Sequence, residues 1–181
     1  ALAAAVPARY SALVLLLAWG GLRIGEACAL RRRDLDLTPG AEAVKVTRRV
    51  YRIAGRGYDY GPPKSKAGRR SVPLPPHVAE ALADHVDTFT GADPDALLFA
   101  TVSGGVALGV ADRCIRRQLD DLGRDDVRCH DLRHTGAVYA ALAGATQAEL
   151  MRRLGHSTAG AAAVYQHTTR DHGRAIAEAL S

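Results

Sequence analysis

The chain begins with a long apolar segment that has too few polar positions for an exposed helix. Residues 11–19 read Ser-Ala-Leu-Val-Leu-Leu-Leu-Ala-Trp, and a run that is apolar on every side is typical of a helix buried in a protein core. The run is far shorter than the ~20 residues that cross a bilayer. Pro7 suits the first turn of a helix, and Gly20-Gly21 interrupts the apolar pattern. We therefore expect two helices within residues 7–30, the second carrying Arg23 to Leu30.

The next segment changes from helical to strand-like periodicity. Residues 43–53 alternate and contain several β-branched side chains, which predicts one strand. Gly55-Arg56-Gly57 predicts a turn, and residues 58–74 are typical of extended segments around a tight loop at Ala67-Gly68. Prolines at 62, 63 and 73 confine this region to a sheet edge, because proline cannot donate a ladder hydrogen bond.

From Pro76 onward, apolar residues return at helical spacing. The predicted helices cover about 76–88, 106–122, 130–143, 146–154, 159–166 and 170–180. Gly144 and Gly155 stand where helices are expected to stop. The pattern as a whole predicts an α+β domain that is mainly α-helical, with one small antiparallel sheet.

Composition supports a folded domain and narrows the class of partner. The 181 residues are 48% hydrophobic and carry a net charge of +5, with a pI near 9.4. Most of the positive charge is arginine, since lysine occurs only at 45, 64 and 66. One guanidinium can donate two parallel hydrogen bonds to a phosphate group, so this bias favours a polyanionic partner. Arginine-rich codon usage on a solvated surface explains the composition equally well. Cys28, Cys114 and Cys129 form no CxxC pair, so neither a disulfide framework nor a zinc site is indicated and a reducing cytosol is expected.

The polar residues that stand out are arginines flanked by histidines. Phosphoryl transfer on DNA builds negative charge on the non-bridging phosphate oxygens, which either metal ions or fixed guanidinium groups must neutralise. Each candidate segment alone has an ordinary explanation, such as a surface ion pair, a helix start or a packing tyrosine. Together they supply a nucleophile, two fixed positive charges and two imidazoles. The segments are Gly21-Leu22-Arg23-Ile24-Gly25-Glu26, His130-Asp131-Leu132-Arg133-His134-Thr135 and Leu154-Gly155-His156-Ser157, with Tyr165 following His156 by nine residues.

In this order the segments resemble the catalytic boxes of the tyrosine recombinase (phage integrase) family, over nearly the whole chain. The resemblance implies the DNA breaking-rejoining fold, which is helical with a small antiparallel three-stranded sheet. It also implies a reaction without metal, ATP or other cofactor, in which a tyrosine attacks the phosphodiester and forms a 3′-phosphotyrosyl link. The implied roles are nucleophile for Tyr165, phosphate binding for Arg23, Arg133 and His156, proton transfer for His130, and support of the first arginine by Glu26.

The family also uses a lysine on a β-hairpin to protonate the leaving 5′-oxygen. A similar hairpin is expected at Pro63-Lys64-Ser65-Lys66-Ala67-Gly68-Arg69-Arg70-Ser71-Val72-Pro73-Leu74. Period-two alternation would put Lys64 and Lys66 on one face, so spacing does not separate them. Lys64 is favoured because it directly follows the prolines, as in the family's Pro-Lys-Ser/Thr segment. Lys66, Arg69 and Arg70 are then expected to contact DNA phosphates.

The resemblance also implies a molecular setting. Residues 1–181 correspond to the catalytic domain, and we expect the N-terminal core-binding domain, which clamps the other face of the DNA, to be absent from this chain. Family members exchange strands between two double-stranded DNA attachment sites in a homotetramer, and the resemblance leaves room for accessory proteins that set direction or bend DNA. It is compatible with a monomeric isolated chain whose residues 170–181 resemble tails that dock onto a neighbouring protomer. The expected location is the cytoplasm, on the nucleoid, without membrane contact, in the service of a phage or other mobile element.

Three other functions share parts of this pattern. A type IB topoisomerase uses the same chemistry but relaxes one duplex, and the compact His-Asp-Leu-Arg-His and Leu-Gly-His boxes fit a recombinase better. A catalytically silent DNA-binding module would keep the fold, but the complete set of catalytic residue types argues against it. A metal-dependent nuclease would need paired carboxylates at metal-site spacing, which are hard to find in this sequence.

Overall fold

The computed structural model describes residues 1–155, and within this range the chain forms seven α-helices and five strands. The helices are α1 Leu2–Ala5, α2 Ala8–Gly20, α3 Ile24–Ala27, α4 Pro76–Phe89, α5 Leu108–Asp121, α6 Cys129–Leu142 and α7 Gln147–Leu154. The strands are β1 Leu35–Asp36, β2 Ala43–Val46, β3 Arg49–Ile53, β4 Gly57–Gly61 and β5 Arg70–Pro73. This confirms the predicted mainly helical α+β domain with a small antiparallel three-stranded sheet. The helices predicted at 159–166 and 170–180 lie outside the described residues.

Helix α2 forms the centre of the core. Its Leu13, Leu16 and Leu17 are at most 1% exposed, and burying a side chain of this size stabilises a fold by roughly 2 kcal/mol. The helix packs against α1, α4 and α6, which explains why its sequence is apolar on every side. Within residues 1–155, no helix combines the length and the apolarity needed to cross a membrane.

The crossing of α2 and α6 depends on Gly136. A Cβ added there would lie 2.3 Å from the carbonyl oxygen of Ala18, so only glycine allows the two helices to approach this closely. Arg133 lies one turn before Gly136 on α6. The close crossing therefore places Arg133 against the end of α2.

The segment predicted as one strand, 43–53, is two strands in different sheets, so that prediction is wrong. Strand β2 lies between β1 and β5 in an antiparallel sheet, and β3 pairs with β4 in a separate hairpin. The break falls at Thr47-Arg48, where Arg48 turns to form an ion pair with the buried Asp34. Alternation does not reveal this break because Val46 and Val50, on either side of it, are both buried. Strand β5 lies at an edge of its sheet, as the prolines predicted.

The predicted helix from Arg23 to Leu30 is also wrong, since α3 makes a single turn. Residues 27–30 are all at most 2% exposed, and Leu30 accepts a backbone hydrogen bond from Leu98 at 2.8 Å. The chain therefore leaves the helix to pair with a distant segment. The later helices, α4 to α7, agree with the sequence pattern to within about two residues, and Gly155 ends α7 as expected.

Candidate active site

Glu26 and Arg23 form the first element of the site. Arg23 is the N-cap of α3, and the Glu26 carboxylate reaches back to accept from the Arg23 backbone N–H at 3.1 Å and from its guanidinium at 3.0 Å. Glu26 is 1% exposed, whereas Arg23 remains partly exposed. This capping arrangement fixes the backbone of Arg23 and one edge of its guanidinium. Arg23 is also one of the residues that line a cleft.

Arg70 is the second cation on Glu26, and it is not a surface residue. Its side chain is 3% exposed, and its guanidinium donates to the Glu26 carboxylate at 3.0 Å. Burial alone would raise the pKa of Glu26, but the charge and hydrogen bond of Arg70, followed by those of Arg23, hold that pKa below its usual value. The expectation that Arg70 contacts DNA phosphates is therefore corrected, because its donors face the interior of the protein.

The loop between β4 and β5 carries the two candidate lysines. Residues 66–68 form a short 3₁₀ turn, and Lys64 lies just before it outside any strand. Period-two alternation does not apply to such a loop, so the expectation that Lys64 and Lys66 share a face by alternation is wrong. Lys64 lines a cleft, and Lys66 and Arg69 are both exposed.

That cleft brings together residues from four separate segments of the sequence. It has a volume of about 340 Å³, and its lining residues are Leu22, Arg23, Ile24, Lys64, Asp112, Arg116, Arg128, Cys129 and His130. Four of these side chains are cationic at neutral pH and one is a carboxylate. A concave surface with this balance of charge attracts a phosphate group.

His130 stands at the start of α6, beside the cleft. Partial desolvation of its ring, and then the positive charges of His134, Arg133 and Arg23, lower its pKa below the usual value of 6.5. The His134 ring is edge-on to it at 5.1 Å between centroids. His130 is therefore neutral at pH 7 and able to accept a proton.

Arg133 is buried at 2% exposure and holds two segments of the backbone together. Its guanidinium donates to the carbonyl oxygens of Gly21 and Leu154. The two bonds attach the segment before Arg23 to the end of α7.

The predicted residues His156 and Tyr165 lie outside the described residues. The chain that leads to them is described as far as Gly155, which caps α7 with φ of +64°. An added Cβ would lie 3.0 Å from the Ala67 carbonyl oxygen and 3.1 Å from the Gly68 Cα. The turn before His156 thus packs directly on the loop that carries Lys64.

Two features of the site are not among those predicted from the sequence, namely Arg153 and the buried position of Arg70. Arg153 donates to the carbonyl oxygens of Trp19 at 2.7 Å and Pro73 at 3.1 Å, and nothing in the spacing of α7 marks it. For Arg70 a signal was present. Arg70, Val72 and Leu74 alternate with exposed residues, so the strand period already placed Arg70 on the buried face.

Comparison with known proteins gives a consistent result. The model of the phage integrase family matches residues 1–172. The chain is 45% identical over 180 residues to a putative prophage phiRv2 integrase of Mycobacterium tuberculosis H37Rv, covering 98% of this chain and 47% of that protein. It is 37% identical over 182 residues to the integrase of Mycobacterium phage L5, covering 99% of this chain and 49% of that protein. The chain thus spans about half the length of these relatives.

Solved structures agree in fold. The Tn1549 transposon integrase in complex with circular intermediate DNA superposes with a TM-score of 0.79 at 27% identity, covering 95% of this chain and 60% of that chain. The cleft, the buried glutamate and the loop lysine described above therefore belong to a fold that is also found in an integrase bound to DNA.

Proposed function

The chain belongs to the phage integrase family, and we propose that it is the catalytic part of a site-specific DNA recombinase that integrates or excises a phage or mobile element. The observation that carries this proposal is the cleft shared by Arg23, Lys64 and His130. These residues are far apart in sequence, and a cation, a proton donor and a proton acceptor at one concave surface suit phosphoryl transfer.

The proposed reaction transfers the phosphoryl group from a DNA 5′-oxygen to a tyrosine. The phenol of Tyr165 attacks phosphorus, its proton passes to neutral His130, and Arg23, Arg133 and His156 stabilise the charge on the non-bridging oxygens. The bond from phosphorus to the 5′-oxygen breaks, and the Lys64 ammonium gives that oxygen a proton. The products are a 3′-phosphotyrosyl link and a 5′-hydroxyl. Because the new ester conserves the bond energy, rejoining needs no ATP, and the arginines take the part that a metal ion plays in other enzymes.

The choice of Lys64 as the general acid is supported by its place in the cleft, which Lys66 does not line. A DNA substrate in which sulfur replaces the bridging 5′-oxygen tests it, because a thiolate leaves without protonation at neutral pH. Lys64→Ala is expected to cleave ordinary DNA slowly and the sulfur-bridged DNA at the rate of the unaltered protein. If Lys66→Ala shows this rescue instead, the assignment is reversed.

The proposed partners are double-stranded attachment sites and further copies of the same protein. The relative from Tn1549 was solved with DNA, and the cationic cleft here suits a phosphate backbone. By family resemblance we propose a homotetramer in the synaptic complex, a contribution of residues 170–181 to its assembly, and accessory proteins that bend DNA or set direction. Lys66 and Arg69, both exposed beside the Lys64 loop, are proposed phosphate contacts. The proposed location is the nucleoid in the cytoplasm.

A covalent trapping assay tests the function. The protein that contains this chain is incubated in EDTA with nicked DNA carrying its attachment site, beside Tyr165→Phe, and both are run on a denaturing gel. We expect a protein–DNA adduct with the unaltered protein alone. An adduct that survives Tyr165→Phe would assign the nucleophile to another residue. DNA binding without any adduct would favour a silent module, and relaxation of supercoils without site dependence would favour a topoisomerase.

A further inference from the structure

Arg70 joins three separate segments, two of which carry the cleft residues Arg23 and Lys64. Its Nε–H donates to the Arg153 carbonyl oxygen at 2.7 Å, one NH₂ group donates to the Gly68 carbonyl oxygen at 3.0 Å, and the other donates to Glu26 at 3.0 Å. Each acceptor belongs to a different element. Glu26 holds Arg23, Gly68 closes the turn after Lys64, and Arg153 lies at the end of α7.

These contacts are made in the protein interior, where close packing restricts the positions of the side chains. The side chains of Arg70 and Glu26 are 3% and 2% exposed. The Gly155 turn packs on the same group, since a Cβ added at Gly155 would lie 3.0 Å from a guanidinium nitrogen of Arg70. A planar guanidinium can direct donors to three fixed acceptors at once, which a lysine ammonium does less well.

We propose that Arg70 is a positioning residue for catalysis. It fixes Glu26, and through it Arg23, relative to the loop of Lys64 and to the turn that precedes His156. It does not bind DNA, and it acts on the rate of strand cleavage through groups that do. This inference rests on the proposed function, because it concerns the residues that would act on the phosphate.

The effect expected of such a residue is on rate and not on affinity. Displacing a catalytic group by about 1 Å can cost about 100-fold in rate, and in metal enzymes the loss of a residue that orients a metal ligand typically costs about 10- to 100-fold. A phosphate contact has the opposite signature, since its loss weakens binding and reduces the salt dependence of the binding constant by about one unit of slope.

The experiment measures single-turnover cleavage at saturating protein, together with DNA affinity as a function of salt. Arg70→Lys keeps a positive charge beside Glu26 but cannot make the three directed contacts. It is expected to cleave about 10- to 100-fold more slowly with unchanged affinity and salt slope, and Arg70→Gln is expected to be slower still. Arg69→Gln is the matched contrast, because Arg69 is the exposed neighbour. This substitution is expected to weaken DNA binding and to reduce its salt slope.

Every outcome decides the matter. Normal cleavage by Arg70→Lys with weakened, less salt-dependent binding would make Arg70 a phosphate contact, and normal values of both would make it a contact of the fold alone. If melting curves show that the Arg70 variants do not fold, Glu26→Gln tests the same network from its other side and is expected to show the same loss in rate. An unaltered protein that forms no adduct would overturn the proposed function and this inference together. If the unaltered protein does form the adduct and Arg70→Lys cleaves at the normal rate, this inference alone would be overturned.

Discussion

At the scale of single residues, the site is organised around one buried carboxylate that two arginines share. Glu26 is almost fully buried, and a buried carboxylate is costly unless its oxygens are satisfied. Both of its oxygens accept, one from the Arg23 guanidinium and the other from Arg70 and the Arg23 backbone. The pKa of Glu26 is lowered in consequence, so the carboxylate stays ionised and keeps both arginines in place at neutral pH.

The histidine pair gives a prediction for the pH dependence of cleavage. In the proposed reaction His130 must be neutral to accept a proton, and its pKa is lowered by partial desolvation and by nearby positive charge, with His134 first among the charges. The cleavage rate should therefore fall with decreasing pH around a midpoint that lies below 6.5. Replacing His134 with glutamine removes one repulsive charge, raises the pKa of His130, and moves this acid limb to higher pH.

The measurement is the single-turnover cleavage rate from pH 5 to pH 8 at fixed ionic strength. His77→Gln is the control, because His77 is exposed on α4 and packs against Trp19 at 5.0 Å between ring centroids. Its acid limb should coincide with that of the unaltered protein. An acid limb that moves to lower pH in His134→Gln would contradict the assignment of His130 as the proton acceptor.

At the scale of elements, sequence periodicity identified α2 and α4 to α7, missed the short helix α1, and failed at two junctions. Helices α4 to α7 follow from regular apolar spacing that extends over several turns. The single turn of α3 and the break between β2 and β3 do not, because each is set by partners distant in sequence. Leu30 pairs with Leu98, and Arg48 turns toward Asp34. Local pattern carries no information about such partners.

The end of α7 gives a prediction about a helix terminus. Gly155 and Gly144 both have positive φ, +64° and +88°, but an added Cβ at Gly144 meets no described atom within 4 Å. Gly144→Ala should therefore cost only the backbone strain of about 1–2 kcal/mol. Gly155→Ala adds a collision with the loop of residues 67–68, so it should cost more and should also slow cleavage.

Chemical denaturation and single-turnover cleavage, measured on both variants, separate the two contributions. The decisive comparison is between the cleavage rates of the two variants, measured without denaturant where both are folded. If Gly144→Ala slows cleavage as much as Gly155→Ala, general loss of stability explains the effect and the packing of α7 on the Lys64 loop does not.

At the scale of the whole molecule, folding assembles the site from residues that are far apart in the sequence. The cleft joins Arg23, Lys64 and His130, and Arg70 and Arg133 tie its margins to the end of α7. The sequence indicated the chemical types of these residues because arginines and imidazoles in this order suit phosphoryl transfer. Residue type alone did not separate Arg70 from Arg69, because both are arginine. Only the period-two alternation of β5 distinguishes the buried arginine from its exposed neighbour.

The net charge of +5 leads to a prediction about the proposed DNA-binding face as a whole. Each phosphate contact releases counterions, so the logarithm of the binding constant should fall linearly with the logarithm of salt concentration. Lys66 lies in the exposed loop beside the cleft, whereas Lys45 is exposed on β2. Lys66→Gln should reduce the magnitude of that slope by about one, and Lys45→Gln should leave it unchanged. Titrations of attachment-site DNA between about 50 and 200 mM salt measure both slopes. Equal reductions in the two variants would mean that the DNA responds to the overall positive field of the domain, and the loop of residues 64–69 would then lose its place as the phosphate-binding edge of the site.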